Sequence, residues 1–344
     1  MVPPEAILAV SFGELPAQLG HIFYFIVLPV LLLAGIGFLL QRALGLDMPT
    51  LTRLNFYFVI PAIIYFKLVT ARVALDDVGT VILFALVVMA AQTAVTWLAA
   101  VARKVPRDQR SAMLMTSIFN NSGNYGLPLQ ELAFRSAGLS DAAVIRQVFF
   151  MLFQNVTGFT LGIGLAAHGT RRRALRETLG HIARFPPLYT LAAALLTVQI
   201  RTWIGPGASG RVVDAMAPFV QVITYVKDAF MAIAIVTLGA QLALVARGKH
   251  GYPVTLSVAL RLLAGPAIGL AVIYLMGIQG FLAQVLLIST STPTAVNCML
   301  LCLEFDNHPD FAARSVFYST LLSPVTVTLT IFLAQSGLLP GFAI

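Results

Sequence analysis

Two short segments of this chain set polar, hydrogen-bonding side chains inside otherwise apolar stretches. The first runs from Ser117 to Phe134 and packs Asn120, Asn121, Ser122 and Asn124 beside Gly123, Gly126 and Pro128. The second surrounds Pro293 with Ser289, Thr290, Ser291, Thr292, Thr294 and Asn297, six hydroxyl or amide side chains within nine residues. Amides and hydroxyls donate and accept hydrogen bonds, so such clusters recognise a ligand rather than attack one. The rest of the sequence agrees. It has no G-x-S-x-G nucleophile motif, no P-loop and no metal-ligand spacing, so neither an enzyme nor an ATP-driven machine is indicated, and no metal or cofactor is expected.

A proline within a helix removes one backbone hydrogen bond and clashes with the preceding turn. In lipid, the freed backbone groups are tolerated only where protein or a water-filled cavity covers them. Two helices broken at matching midpoints would therefore cross near the middle of the bilayer. Each second half-helix would then point its N-terminus, worth about +0.5 of an elementary charge, at the crossing. Such ends with nearby amides suit a carboxylate, and freed carbonyls could hold a cation. The blander alternative is that the prolines only kink their helices and the polar residues glue helix to helix, at ~1 kcal/mol or less each.

The elements that must position these residues are membrane helices. The chain has 344 residues with a mean hydropathy of +0.88, 58% apolar and 10% charged. A soluble domain has about 25% charged residues, so a soluble enzyme, a disordered chain and a nucleic-acid module are all excluded. Ten apolar segments are long enough to span, at roughly 21–41, 51–70, 79–101, 111–134, 142–167, 182–200, 217–246, 252–276, 280–303 and 311–336. No positive n-region precedes the first of them, so no cleavable signal is expected.

With the N-terminus outside, 14 of the 22 Lys and Arg residues fall on the inner side. Both termini are thus expected on the non-cytoplasmic face of the cell (inner) membrane. Pro128 and Pro293 stand 165 positions apart, and the same offset carries the fifth segment onto the tenth. Five segments per half is an odd number, so the second half must enter the bilayer inverted. The predicted architecture is all-α and integral to the membrane. It has a first five-helix repeat over 21–167, a basic cytoplasmic connector over 168–181 and an inverted second repeat over 182–336, with broken crossing helices 4 and 9.

The motif Asn121-Ser-Gly-Asn-Tyr-Gly-Leu-Pro-Leu129 resembles the Asn-x-Gly-x-x-Gly-x-Pro-Leu segment of the auxin efflux carrier family, which includes plant PIN carriers and bacterial malate and malonate permeases. Leu54–Ala62, Thr237–Leu242, Arg261–Pro266 and Pro293–Asn297 with Glu304-Phe305 resemble other family segments, in order. The resemblance implies a fold like that of the bile-acid sodium symporters, with a scaffold of spans 1, 2, 6 and 7 and an elevator-like motion of the remainder. By position it assigns Asn121, Pro128, Pro293 and Asn297 to the crossing. The short connectors fit a bacterial-style carrier of small organic acids.

Charges inside spans cost ~2.5–3.5 kcal/mol on insertion scales, so each is a functional candidate. Glu131, one turn beyond Pro128, could bind sodium or a proton, or serve a freed backbone group. Asp228 could face the cavity or pair with Arg261, and Arg261 could attract a substrate carboxylate or snorkel inward. Lys227, adjacent to Asp228, is expected on a different helix face. Lys67, near an outer helix end, reads as snorkelling. Gln147 and Gln154 share a face of the fifth span and suit polar packing against the fourth, or cation coordination. Cys298 and Cys302 read as buried packing residues.

Together these readings predict a secondary active or facilitative carrier of a small organic anion, working by alternating access. Asn120, Asn121, Asn124, Thr292, Thr294 and Asn297 would bind the substrate, and Gly123, Gly126, Pro128 and Pro293 would break the helices. Glu131, Asp228 and Arg261 are the candidates for coupling to Na+ or H+. The expected partners are the anion, the lipid bilayer and a second copy of the chain through the scaffold helices, with no nucleic acid. The alternative is a membrane-embedded ligand sensor that uses the carrier fold without turnover.

Overall fold

A computed structural model describes residues 15–70, 76–166, 185–244 and 251–343. The connector expected over 168–181 lies outside the described residues, as do the first fourteen positions. The described residues are mostly helical, with no strand among them beyond a single bridge. In chain order the helices are α1 (Leu15–Leu44), α2 (Met48–Thr70), α3 (Asp76–Ala102), α4 (Arg110–Ile118), α5 (Gly126–Ala133) and α6 (Ser140–Thr157). A π-helical turn at Gly158–Gly162 and a last turn at Ile163–Ala166 extend α6. The second half holds α7 (Pro186–Ala215), α8 (Ala217–Ala243), α9 (Tyr252–Leu275), α10 (Gly280–Thr290), α11 (Val296–Glu304) and α12 (Pro309–Gln335).

Among the described residues, six helices are long and apolar enough to cross a membrane: α1, α2, α3, α8, α9 and α12. The fourth and ninth apolar segments fall short of that length because each is divided in two, α4 from α5 and α10 from α11. The sixth segment, expected to end near residue 200, continues as helix to Ala215.

Large apolar side chains cover the outside of these helices, among them Tyr24, Leu39, Tyr57, Trp97, Tyr225, Leu275 and Val325. In water such a surface would aggregate; in a bilayer it meets lipid tails as apolar as itself. Packing between helices then depends on close fit. The tightest seam joins α1 to α8, where a Cβ on Gly37 would lie 2.1 Å from the Val236 carbonyl oxygen and one on Gly239 1.9 Å from that of Ala34. Only glycine lets the two backbones approach so closely. α2 packs against both α7 and α8, so α1, α2, α7 and α8 form one group. The remaining helices pack around the two divided segments, with α3 against α6 and α9, and α12 against α10 and α11.

Candidate functional site

The two divided segments meet at their breaks. Asn120 and Thr294 form an antiparallel bridge, in which the Asn121 N–H donates to the Pro293 carbonyl at 2.7 Å and the Ala295 N–H to that of Phe119 at 3.0 Å. Backbone groups that a continuous helix would have satisfied are thus satisfied across the crossing. Pro293 lies within its break, whereas Pro128 sits in the first turn of α5, where a missing N–H costs little.

Side chains complete the exchange. Asn120 Nδ2 donates to the Ser289 carbonyl at 2.9 Å, and Thr294 Oγ1 donates to the Thr116 carbonyl at 2.8 Å. Each break therefore satisfies a late carbonyl of the other segment's first half-helix. The hydroxyls of Thr290, Ser291 and Thr292 bond the carbonyls of Leu287, Ile288 and Ser289 in the same way, within their own segment. Behind the crossing, Gln147 reaches from α6 to donate to the Ser122 carbonyl at 2.8 Å and accept from Ser289 Oγ at 2.6 Å. Gln130 donates to the Val285 carbonyl at 2.9 Å. Polar packing against the fourth segment, one of the two roles open to Gln147, is the role it takes.

Beside the bridge lies a cavity of about 50 Å³, several times the roughly 10–15 Å³ that one water requires on this measure. Asn120, Asn121, Gly123, Asn124 and Asn297 line it, joined by Gln154, Asn155, Gln241, Phe56 and Cys298. No charged side chain is among its described lining residues. Both α5 and α11 begin at this cavity, so the positive ends of two helix dipoles meet it. Asn124 is held by Asn55, whose Nδ2 donates to its Oδ1 at 2.8 Å. Asn121 is 7% exposed, and its Nδ2 has no hydrogen-bond partner in the protein. A buried donor left unmatched costs about 1–3 kcal/mol unless water or a ligand accepts from it.

Of the six amides and hydroxyls expected to hold substrate, the structure brings Asn120, Asn121, Asn124 and Asn297 to the cavity. Thr292 and Thr294 are fully buried outside its lining, their hydroxyls spent on backbone carbonyls. The lining also includes Phe56 and the amide of Gln241, which fall in the family-like segments Leu54–Ala62 and Thr237–Leu242 but were not assigned to the site. The signal for Gln241 was a lone amide near the end of an apolar run.

The charged candidates go elsewhere. Arg261 is 3% exposed and donates to the carbonyls of Ser117 at 3.1 Å, Ile118 at 3.4 Å and Thr290. It neither pairs with Asp228 nor snorkels. Glu131 lies beyond α5's cavity end and binds Lys67 Nζ at 3.1 Å. Lys67 does not snorkel either: it is 4% exposed and also pairs with Asp141. Close by, Arg146 pairs with Asp77. Asp228 is mostly exposed and contacts Lys227 at 2.6 Å, contrary to the expected divergence, because the long lysine side chain can fold back over one peptide. Cys298 and Cys302 are buried, as expected of packing residues. No metal-binding cluster occurs among the described residues.

The ends of the bundle differ. Phe56 in the first part of α2, Asn155 and Gly158 late in α6, Gln241 late in α8 and Leu301 in α11 put the cavity on the side where α1 turns into α2. The Lys67 and Arg146 ion pairs tie α2 and α3 to α5 and α6 at the other end.

Residues 172–331 match the family described as Membrane transport protein. The chain is a membrane transporter, similar to that family over just under half of its length. It is 26% identical over 313 residues to an uncharacterized transporter of Methanothermobacter thermautotrophicus, covering 88% of this chain and 95% of that protein. It is 25% identical over 332 residues to a Rhizobium meliloti protein named for malonate transport, covering 92% of this chain and 97% of the other. A shorter match, 28% identical over 116 residues, joins 32% of the chain to 18% of auxin efflux carrier component 1 of Arabidopsis thaliana. The resemblance read from the motifs is thereby borne out. The transporter is a multi-pass membrane protein and not an enzyme.

Proposed function

We propose that this transporter carries a small organic carboxylate by alternating access, with the substrate bound in the cavity beside the crossing. The observation that supports this most is the orphaned Asn121 amide, set in an uncharged polar cavity where two helix N-termini converge. A carboxylate would accept from that amide and neutralise the two dipole ends at once. The relative named for malonate transport makes malonate the first substrate to try.

In this reading the twelve helices form ten spans in two inverted five-helix repeats, with α4–α5 and α10–α11 as the broken pair. The group α1, α2, α7 and α8 serves as scaffold and as the surface for a homodimer, while the remainder moves. The positive-inside rule puts the α1–α2 connection on the cytoplasmic side of the cell membrane. The cavity then faces the cytoplasm, and the Lys67 and Arg146 ion pairs close the opposite end. The test is uptake into proteoliposomes of malonate, malate, succinate and indole-3-acetate, with and without sodium and at two pH values. Saturable uptake of one class, weakened in Asn121→Ala, is expected. Binding of a carboxylate with no uptake under any gradient would favour a sensor instead.

A further inference from the structure

We propose that Arg261 is a positioning residue for the substrate site: a resident cation that clamps both broken spans from outside the cavity lining. The proposal rests on the transport reading only for its effect on substrate. The clamp itself is argued from geometry.

The guanidinium bonds the carbonyls of Ser117 and Ile118 at the end of α4 and that of Thr290 at the end of α10. These are the negative ends of the two first half-helices, where a buried cation is most favoured. The freed carbonyls that could have held an inorganic cation are thus held by the protein's own. Arg261 is absent from the cavity lining, so it does not touch bound substrate there. It acts through the bridge: Ser117 and Ile118 lead directly into Phe119, Asn120 and Asn121, and Thr290 leads into Pro293 and Thr294.

The surroundings are shaped for this side chain. Arg261 lies in a π-helical turn, Leu260–Ala264, and Gln92 Nε2 donates to the Leu260 carbonyl in that turn at 2.7 Å. Single π turns inside helices frequently mark functional positions. Gly265 leaves the room the guanidinium needs, since a Cβ there would lie 2.4 Å from its Nη2 and 3.2 Å from the Thr290 carbonyl oxygen. The planar fork of arginine can span carbonyls on two helices at once, which a lysine's point charge does poorly.

The experiment uses the full chain in proteoliposomes and two readouts. The first needs no substrate: the rate at which a small thiol reagent modifies Cys298, which lines the cavity in the first turn of α11, in a Cys302→Ala background. Loss of the clamp in Arg261→Ala is expected to speed modification about tenfold, with millimolar guanidinium ion restoring the slow rate and equal sodium failing to; Arg261→Lys should fall between. The second is malonate uptake, in which KM should rise about tenfold while the maximal rate stays within about twofold. Should Arg261→Ala not insert, Gly265→Ala, which displaces Nη2 but keeps the charge, must produce the same acceleration. An unchanged Cys298 rate in the variant that inserts, or restoration by sodium as effective as by guanidinium, overturns the clamp. Absence of malonate uptake in the wild type counts against the proposed substrate and leaves the Cys298 readout to decide Arg261.

Discussion

Two interfaces in this transporter are both tightly packed, yet they are built from opposite materials. The seam between α1 and α8 is backbone on backbone, with Gly37 and Gly239 each leaving no room for a single Cβ. The crossing of α4–α5 with α10–α11 is held by polar contacts: a two-residue bridge, reciprocal side-chain bonds and one guanidinium. The seam is fixed by shape, so sliding it would drive backbone into backbone. The crossing is fixed by hydrogen bonds that fill most, but not all, of its polar groups. The unfilled remainder, Asn121 above all, is what the proposed carboxylate site rests on. In the alternating-access proposal the shape-fixed seam would belong to the scaffold and the incompletely satisfied crossing to the part that moves.

The comparison can be broken most severely at the seam. Gly239→Val would force α1 from α8, and overpacking of this kind costs ~1–3 kcal/mol or more. The expected result is a large fall in the melting temperature in detergent or loss of folded protein, since the obstructing atoms belong to the Ala34 backbone rather than to a movable side chain. At the crossing, Asn121→Ala should leave the melting temperature nearly unchanged, because its Nδ2 bonds nothing within the protein. Substrate affinity should nevertheless fall by roughly 10–100-fold, the worth of a hydrogen bond to a charged acceptor. Titration calorimetry with malonate checks it.

A smaller effect is expected at the end of the bundle away from the cavity. Lys67→Met removes the shared partner of Glu131 and Asp141, whose side chains are 23% and 59% exposed and so can hydrate when freed. The cost should be about 1 kcal/mol or less, read as a small drop in melting temperature. Smallest of all is the connector between α1 and α2, where Asp47 caps α2 by accepting from the Thr50 hydroxyl and from its N–H at 3.1 Å. These bonds, with Arg53, hold the Asp47 carboxyl below its usual value of 3.8. A carboxylate lowered in the folded state contributes stability that is present above the unfolded value and lost as pH falls through the folded one. Asp47→Ala should therefore melt slightly below the wild type at neutral pH, and the two curves should converge below pH 3.8.

Much of this was legible in the sequence because lipid leaves few readings open. A cluster of amides with glycine and proline inside an apolar run has to be covered or used, and both breaks were located from that alone. What could not be read was where each polar group would spend its hydrogen bonds. Thr292 and Thr294 can donate like the cavity amides, but Thr292 spends its hydroxyl on a carbonyl three positions back and Thr294 on one 178 positions away across the crossing. Arg261 was marked by its insertion cost, while the carbonyls it binds lie 144, 143 and 29 positions away. Lys67 was read as snorkelling because of its place near a helix end; its partners, Glu131 and Asp141, are set by how α2 meets α5 and α6. Gln241 and Asn55 were single amides without a local cluster to distinguish them.

The central claim, that the crossing cavity is the carboxylate site, is tested most directly by equilibrium binding of labelled malonate to wild type, Asn121→Ala and Glu131→Gln. The account expects saturable binding, weakened at least tenfold in Asn121→Ala and little changed in Glu131→Gln, whose carboxylate faces Lys67 away from the cavity. Full affinity in Asn121→Ala with binding lost in Glu131→Gln would contradict it and move the site to the ion pairs at the other end of the bundle.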